Sequence, residues 1–262
     1  MTTRVVIIGT FPDVLPEIIK IQNKFPLVVV DPPYGNIVKA EWDQVGSDTQ
    51  FSQKLIDWSR IFSSILYPGG AFYMWGGIGQ PKNRPFFKAI LGIEEQTDFE
   101  LANIITWSKK RAYGVQNNYL FTREELAFFV KGDKKKPRKF EVPLLDTKRS
   151  YEGYNKKYPA KSQFFRRTSV WSDITEILRG KTHETQKPDR LHQIPIQVHT
   201  EPGETVLDTF AGSLMTGRAA ASLDRGFILV EREKKYVRDH IHTLPPDTIV
   251  IEHVSANKLN IK

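Results

Sequence analysis

Asp31-Pro32-Pro33-Tyr34 follows directly on the apolar run Val28-Val29-Val30. A carboxylate at the end of a buried strand, followed by two residues without an N–H, makes a turn rich in acceptors and poor in competing donors. Such a turn can accept both N–H groups of one amino group, at the Asp31 carboxylate and the Pro32 carbonyl. An amino group on a heteroaromatic ring is a poor nucleophile, because its lone pair is delocalised. Two acceptors localise that pair and stabilise the positive charge that develops during attack. Tyr34 adds a flat face for stacking. Without that chemistry, the same residues are a strand ending in an ordinary turn.

A second group lies far along the chain. His183-Glu184-Thr185-Gln186-Lys187-Pro188 leads into Asp208-Thr209-Phe210-Ala211-Gly212-Ser213, and Glu231 closes the next apolar run, Phe227–Val230. A glycine in the loop after a buried strand lets backbone approach a ligand closely, and an acid one strand later can accept both hydroxyls of a ribose. Taken singly, a glycine loop is common and Lys187 could be a surface charge.

These groups need a scaffold. Val5–Ile8, Leu27–Val30, Ala71–Trp75, Ile104–Trp107, Ala127–Val130, Glu204–Leu207 and Phe227–Val230 read as strands. Helical spacing over Phe51–Leu66, and helices near Val14–Asn23 and Thr216–Leu223, alternate with them. The expected fold is a doubly wound, Rossmann-like α/β domain with a mostly parallel, seven-stranded sheet covered on both faces.

The set, in this order, resembles the beta-class amino-methyltransferases of DNA, whose catalytic motif precedes the cofactor motif. The resemblance runs from about residue 5 to about residue 238. It implies a methyl transfer from S-adenosylmethionine to an amino group of a base flipped out of double-stranded DNA. Asp31, Pro32, Pro33 and Tyr34 would be catalytic. Asp208, Phe210, Ala211, Gly212 and Glu231 would hold the cofactor, with Phe210 on its adenine side, and Gln186 and Lys187 would sit near its methionine end. Aspartate at the first motif position implies adenine N6 rather than cytosine N4. The stretches Asn103–Lys109 and Thr122–Lys131 look like the family's middle strands and read as core without chemistry. Two positions depart from the pattern. Leu214 stands where a second glycine is usual, at a cost of ~1–3 kcal/mol if that backbone is left-handed. Thr10 stands where the strand usually ends in an acid, the nearest being Asp13. Both fall in the cofactor pocket, so a DNA-binding or partner subunit with weak cofactor affinity is an alternative. A methyltransferase of protein glutamine or RNA is a more distant one, since the motif order argues against the glutamine enzymes.

The 262 residues suit one large domain, divided as a catalytic half (1–131), a basic insertion (132–181) and a cofactor half (182–262). The insertion interleaves aromatics with cations, among them Lys134, Lys135, Lys136, Arg138, Lys139, Arg166 and Arg167, and reads either as a DNA-contacting recognition lobe or as a solvated segment. A net charge of +8 suits a polyanion. With no Cys and no metal-ligand spacing among six His, no metal is expected; His240 and His242 fit one face of a strand. No apolar h-region and no run near the ~20 residues that span a bilayer are present, so an intracellular, cytoplasmic location is expected. A homodimer or a partner subunit is left open.

Overall fold

Strands that are apolar at every position can be satisfied only where both faces of a sheet are covered. A computed structural model of the chain describes residues 2–34, 47–77, 84–114, 116–117, 119–148, 153–155, 158–159, 162–176 and 187–253. In chain order the elements begin with β1 (Arg4–Ile8), α1 (Leu15–Ile21), β2 (Phe25–Val30), α2 (Asp48–Ile65), β3 (Leu66–Gly76) and α3 (Arg84–Gln96). β4 (Phe99–Tyr113) and β5 (Phe121–Lys131) follow, then the short strands β6 (Leu144–Lys148), β7 (Gly153–Asn155), β8 (Tyr158–Pro159), β9 (Phe164–Arg166) and β10 (Val170–Trp171). The last part holds α4 (Asp189–His199), β11 (Thr205–Asp208), α5 (Met215–Ala221), β12 (Gly226–Glu231), α6 (Lys234–His240) and β13 (Ile249–Glu252).

Nine strands form one sheet in the order β10-β4-β5-β3-β2-β11-β12-β1-β13, and β5 alone runs antiparallel to its neighbours. This is the expected doubly wound sheet, with β10 and β13 added as edges to the seven strands anticipated. All six positions of β2 and of β12 are buried, as are all four of β11. Alternation along each strand divides the core in two. Val28, Val30, Phe72 and Met74 pack with α2 on one face, whereas Leu27, Val29, Tyr73 and Trp75 pack with α4 and α5 on the other.

Local signals start and stop the helices. Ser47 caps α2: its hydroxyl accepts the Gln50 N–H while the Gln50 side chain takes the Ser47 N–H, so two orphan donors are satisfied reciprocally. The crossover after β2 runs through α2 and that after β11 through α5, on opposite faces. The strand order therefore reverses between β2 and β11, which places a ligand crevice at their C-terminal ends. β2 and β11 pair directly through Val28 and Leu207, so Asp31 and Asp208 emerge side by side.

Two expectations are corrected here. His240 ends α6 and His242 lies in a 3-10 turn, Ile241–Thr243, so this pair is helical and not on a strand. The span 132–181 is not wholly a separate lobe: β10 joins the main sheet beside β4, and Trp171 and Ile174 are buried in the core. The two outer segments are also interleaved, since β1 lies between β12 and β13. Among the described residues no helix is long and apolar enough to cross a membrane.

Candidate active site

The turn after β2 carries Asp31 and Tyr34 to the C-terminal edge of the sheet, where they meet a cation from the other end of the chain. Lys187 precedes α4, with 4% of its side chain exposed. Its Nζ lies 2.5 Å from Asp31 Oδ2, 3.1 Å from the Tyr34 hydroxyl and 3.3 Å from Glu124 Oε2. The Tyr34 hydroxyl is also 3.0 Å from Asp31 Oδ1 and 3.1 Å from Glu124 Oε2, and its single proton can serve one of them at a time. Glu124 Oε1 is ion-paired with Lys109. Two carboxylates and two ammonium groups thus alternate, each against opposite charge.

The electrostatics follow from that arrangement. Burial opposes ionisation of Glu124, but the charges of Lys187 and Lys109 outweigh it and hold its pKa down to about 2. Burial likewise disfavours the Lys187 ammonium, and Asp31 and Glu124 more than compensate, raising its pKa above the ordinary lysine value. The N-terminus of α4 would repel a cation, so these two carboxylates are what keep Lys187 charged there. Burial and the adjacent Asp31 and Glu124 charges push the Tyr34 phenol well above its usual range. The Trp75 ring stands 5.0 Å from Lys187 Nζ, and its buried indole N–H has no acceptor among the described residues.

The second group forms the neighbouring loop. Asp208 Oδ1 accepts the Phe210 N–H at 2.9 Å and Oδ2 accepts the Thr216 hydroxyl at 2.5 Å. Glu231 accepts the N–H of Gly212 and that of Glu233, both at 2.7 Å. Burial dominates at both acids and raises each pKa to about 7 in spite of these bonds. Phe210 is half-buried, with its ring 4.9 Å from Trp58 and 6.2 Å from Phe11. Ala211 and Gly212 run past Glu231, Gly212 at φ 50°. The Thr209 hydroxyl is buried with no partner among the described residues. An aromatic face, a carboxylate still able to accept and bare backbone in one crevice fit a nucleoside-bearing cofactor.

Leu214 is left-handed, at φ 60° and ψ 26°, where it caps α5. The loop has kept the backbone that a glycine would adopt, and the leucine side chain is fully buried in the core. Thr10 and Asp13 are both exposed. Gln186 lies outside the described residues.

The cations expected to meet DNA are scattered. Arg167 makes a two-bonded ion pair with Asp173, with 4% of its side chain exposed. Lys139 is held by Glu201 and the Thr200 carbonyl, and Arg138 by Glu204. Arg166 is exposed at the end of β9. Lys134, Lys135 and Lys136 lie in the turn after β5. Since β5 is antiparallel, that turn is at the opposite end of the sheet from Asp31.

Sequence reasoning missed Lys109 and Glu124, which it took for core-strand residues, and the Asp208–Thr216–His192 chain behind the loop. His192 Nδ1 is 3.1 Å from the Thr216 hydroxyl; burial, with the Lys187 charge, lowers its pKa to about 3 and keeps the ring neutral. A signal for Glu124 was present, namely a pair of acids, Glu124-Glu125, directly before the apolar run Leu126–Val130.

Residues 25–242 match the N6/N4 methyltransferase family, described as DNA methylase. This chain belongs to that family. It is therefore an S-adenosylmethionine-dependent DNA amino-methyltransferase, and family membership leaves adenine N6 and cytosine N4 both open. Among curated relatives, the type II methyltransferase M2.DpnII of Streptococcus pneumoniae is 27% identical over 81% of this chain and 79% of its own. The DNA adenine methyltransferase YhdJ of Escherichia coli (strain K12) is 28% identical over 94% and 84%. The fold matches the cytosine-N4-specific PvuII DNA methyltransferase with a TM-score of 0.70 at 17% identity, covering 98% of this chain and 90% of that one. It also matches the complex of M1.HpyAVI with S-adenosylmethionine with a TM-score of 0.61 at 22% identity, over 92% and 100%.

Proposed function

We propose that this amino-methyltransferase acts at specific sites in double-stranded DNA and methylates N6 of an adenine flipped out of the duplex. The observation that carries this reading is an aspartate at the first position of the catalytic turn, with both its oxygens held by Lys187 and Tyr34 at the mouth of the crevice. Asp31 and the Pro32 carbonyl accept the two N–H groups of the adenine amine, localising its lone pair. Lys187 fixes the direction in which the Asp31 carboxylate points, so little reorganisation is needed at the moment of attack. The proton that the methylated nitrogen sheds has Asp31 as its first acceptor. Tyr34 supplies the stacking face.

S-adenosylmethionine, when bound, supplies the methyl group as an electrophile on a sulfonium. Phe210 would meet its adenine, Glu231 its ribose hydroxyls, and the backbone of Ala211 and Gly212 would lie against it. Asp208 acts from behind, bracing the loop through the Phe210 N–H and Thr216. Lys187 serves the catalytic turn rather than the cofactor's methionine end, because two carboxylates of this chain already engage it. The left-handed Leu214, which preserves the loop, supports an active enzyme over a subunit that has lost its cofactor. Incubation of unmethylated DNA with labelled cofactor, followed by digestion to nucleosides and mass spectrometry, tests the proposal. N6-methyladenine is the expected product; N4-methylcytosine alone would assign the other base.

A further inference from the structure

Behind the cofactor loop, one hydroxyl proton serves two neighbours. Thr216, in the first turn of α5, lies 2.5 Å from Asp208 Oδ2 and 3.1 Å from His192 Nδ1, and all three side chains are buried. A hydroxyl has one proton to give, so the direction of one of these bonds fixes the other. When Asp208 is a carboxylate, Thr216 donates to it and must accept from His192, whose ring then carries its proton on Nδ1. When Asp208 is protonated at Oδ2, it donates to Thr216, Thr216 donates to Nδ1, and the ring carries its proton on Nε2. Asp208 Oδ1 accepts the Phe210 N–H at 2.9 Å in either case.

The surroundings keep the ring neutral and let the carboxyl change. Burial first, then the Lys187 charge, lowers the His192 pKa to about 3; Asp189 on α4 and Arg218 on α5 act on it with opposite signs. Those two are tied to each other by bonds of 3.0 and 2.6 Å. Burial raises Asp208 to about 7, helped by the charges of Asp31 from the turn after β2 and Glu231 from the end of β12, and opposed by the bonds from Thr216 and Phe210. A neutral imidazole can donate or accept at the same nitrogen, according to its tautomer.

We propose that His192 is a positioning residue, which keeps the cofactor loop fully hydrogen-bonded whether Asp208 is charged or neutral by trading its Nδ1 proton for one on Nε2. One proton from water enters at Nε2, the Nδ1 proton passes to the Thr216 oxygen, and the Thr216 proton passes to Asp208 Oδ2. The ring ends as neutral as it began, and the charge that disappears is that of the carboxylate. His192 thus acts on Phe210 only through Thr216 and Asp208. This role presupposes the reading of the 208–212 loop as the seat of S-adenosylmethionine. Leucine at this position separates the two states. Beside a carboxylate Asp208 it leaves only a lone pair of Thr216 unfilled, whereas beside a protonated Asp208 it strands a buried hydroxyl proton, and the loop loosens.

The test uses the full chain. In wild type labelled with nitrogen-15 histidine, the ring resonances that vanish in His192→Leu identify His192, and they should report the Nδ1–H tautomer at pH 8.5 and the Nε2–H tautomer at pH 6. Calorimetry with S-adenosylmethionine should show the affinity of His192→Leu, relative to wild type, falling ~tenfold from pH 8.5 to pH 6. One unit below a pKa of about 7, only about a tenth of Asp208 remains in the form that still holds the loop. His192→Gln, whose amide can turn either a donor or an acceptor to Thr216, should keep a constant ratio to wild type. A single tautomer at both pH values, an imidazolium at pH 6, or an equal loss at both pH values in His192→Leu would overturn the proposal and leave His192 a packing residue. A wild type that binds no S-adenosylmethionine at pH 8.5 would overturn the cofactor reading of the loop, and this role with it, even where the tautomers exchange.

Discussion

Lys187 Nζ sits 2.5 Å from Asp31 Oδ2, although 156 residues separate them in sequence. One ammonium group therefore ties the strand end that carries the acceptor to the helix that opens the cofactor half, and Glu124 on β5 completes the tie. Removing Lys187 would leave two carboxylates facing each other in a nearly closed site. Lys187→Met should cost ~3–5 kcal/mol of stability, the range for breaking a buried pair from one side. Adding Glu124→Gln should restore part of that loss. Urea denaturation of the single and double variants checks it, and a double variant weaker than Lys187→Met would show that Glu124 is not the group left unpaired.

Asp31→Ala removes stabilisation made mainly in the transition state, so turnover should fall by roughly 10²–10³-fold or more. Binding of cofactor and DNA should change little. Single-turnover transfer of labelled methyl measures the chemical step directly, and a near-wild-type rate would exclude Asp31 from it.

Leu214 presents two opposed effects. Glycine would release ~1–3 kcal/mol of left-handed strain, but it would also delete a fully buried leucine side chain, worth ~2–5 kcal/mol. Leu214→Gly should therefore destabilise the protein by about 1–3 kcal/mol. A variant as stable as wild type in chemical denaturation would mean that strain is the larger effect.

Glu231 and Asp208, both raised to about 7, should make the protein pH-sensitive near neutrality. For an acid whose folded pKa lies above its unfolded value, the stability it contributes is fully present below the unfolded pKa and is lost as pH rises through the folded one. Between about pH 4 and pH 7, then, these two groups favour the folded state less as pH increases. Cofactor binding should run the other way, because Glu231, in the role proposed for it, would accept from both ribose hydroxyls only when ionised. Calorimetry from pH 6 to pH 8 should show affinity rising with pH in wild type and flat in Glu231→Gln. An unchanged profile in the variant would locate the titrating group elsewhere.

The sheet was legible because its strands are uninterrupted apolar runs, and β1, β2, β11 and β12 fall within two residues of their expected places. Asp31 and the 208–212 loop were legible because their chemistry is local to one turn each. What escaped was non-local. Glu124 and Lys109 look like the polar ends of core strands until β5 sets them beside Lys187. The direction of β5 decides where Lys134–Lys136 lie, and no property of those residues reports it. Arg167 and Lys139 looked like free cations because their partners, Asp173 and Glu201, are brought to them by the fold.

The position of β1 bears on how the molecule is made. Val5 pairs on one side with Ile228 and on the other with Ile249, so β1 has no partner in the sheet until those distant strands are made. On the ribosome, the chain must carry an unpaired apolar strand until they emerge. Pairings this distant in sequence close slowly. In a chain cut between its two halves, the pieces would stay clasped, because each supplies strands that the other encloses.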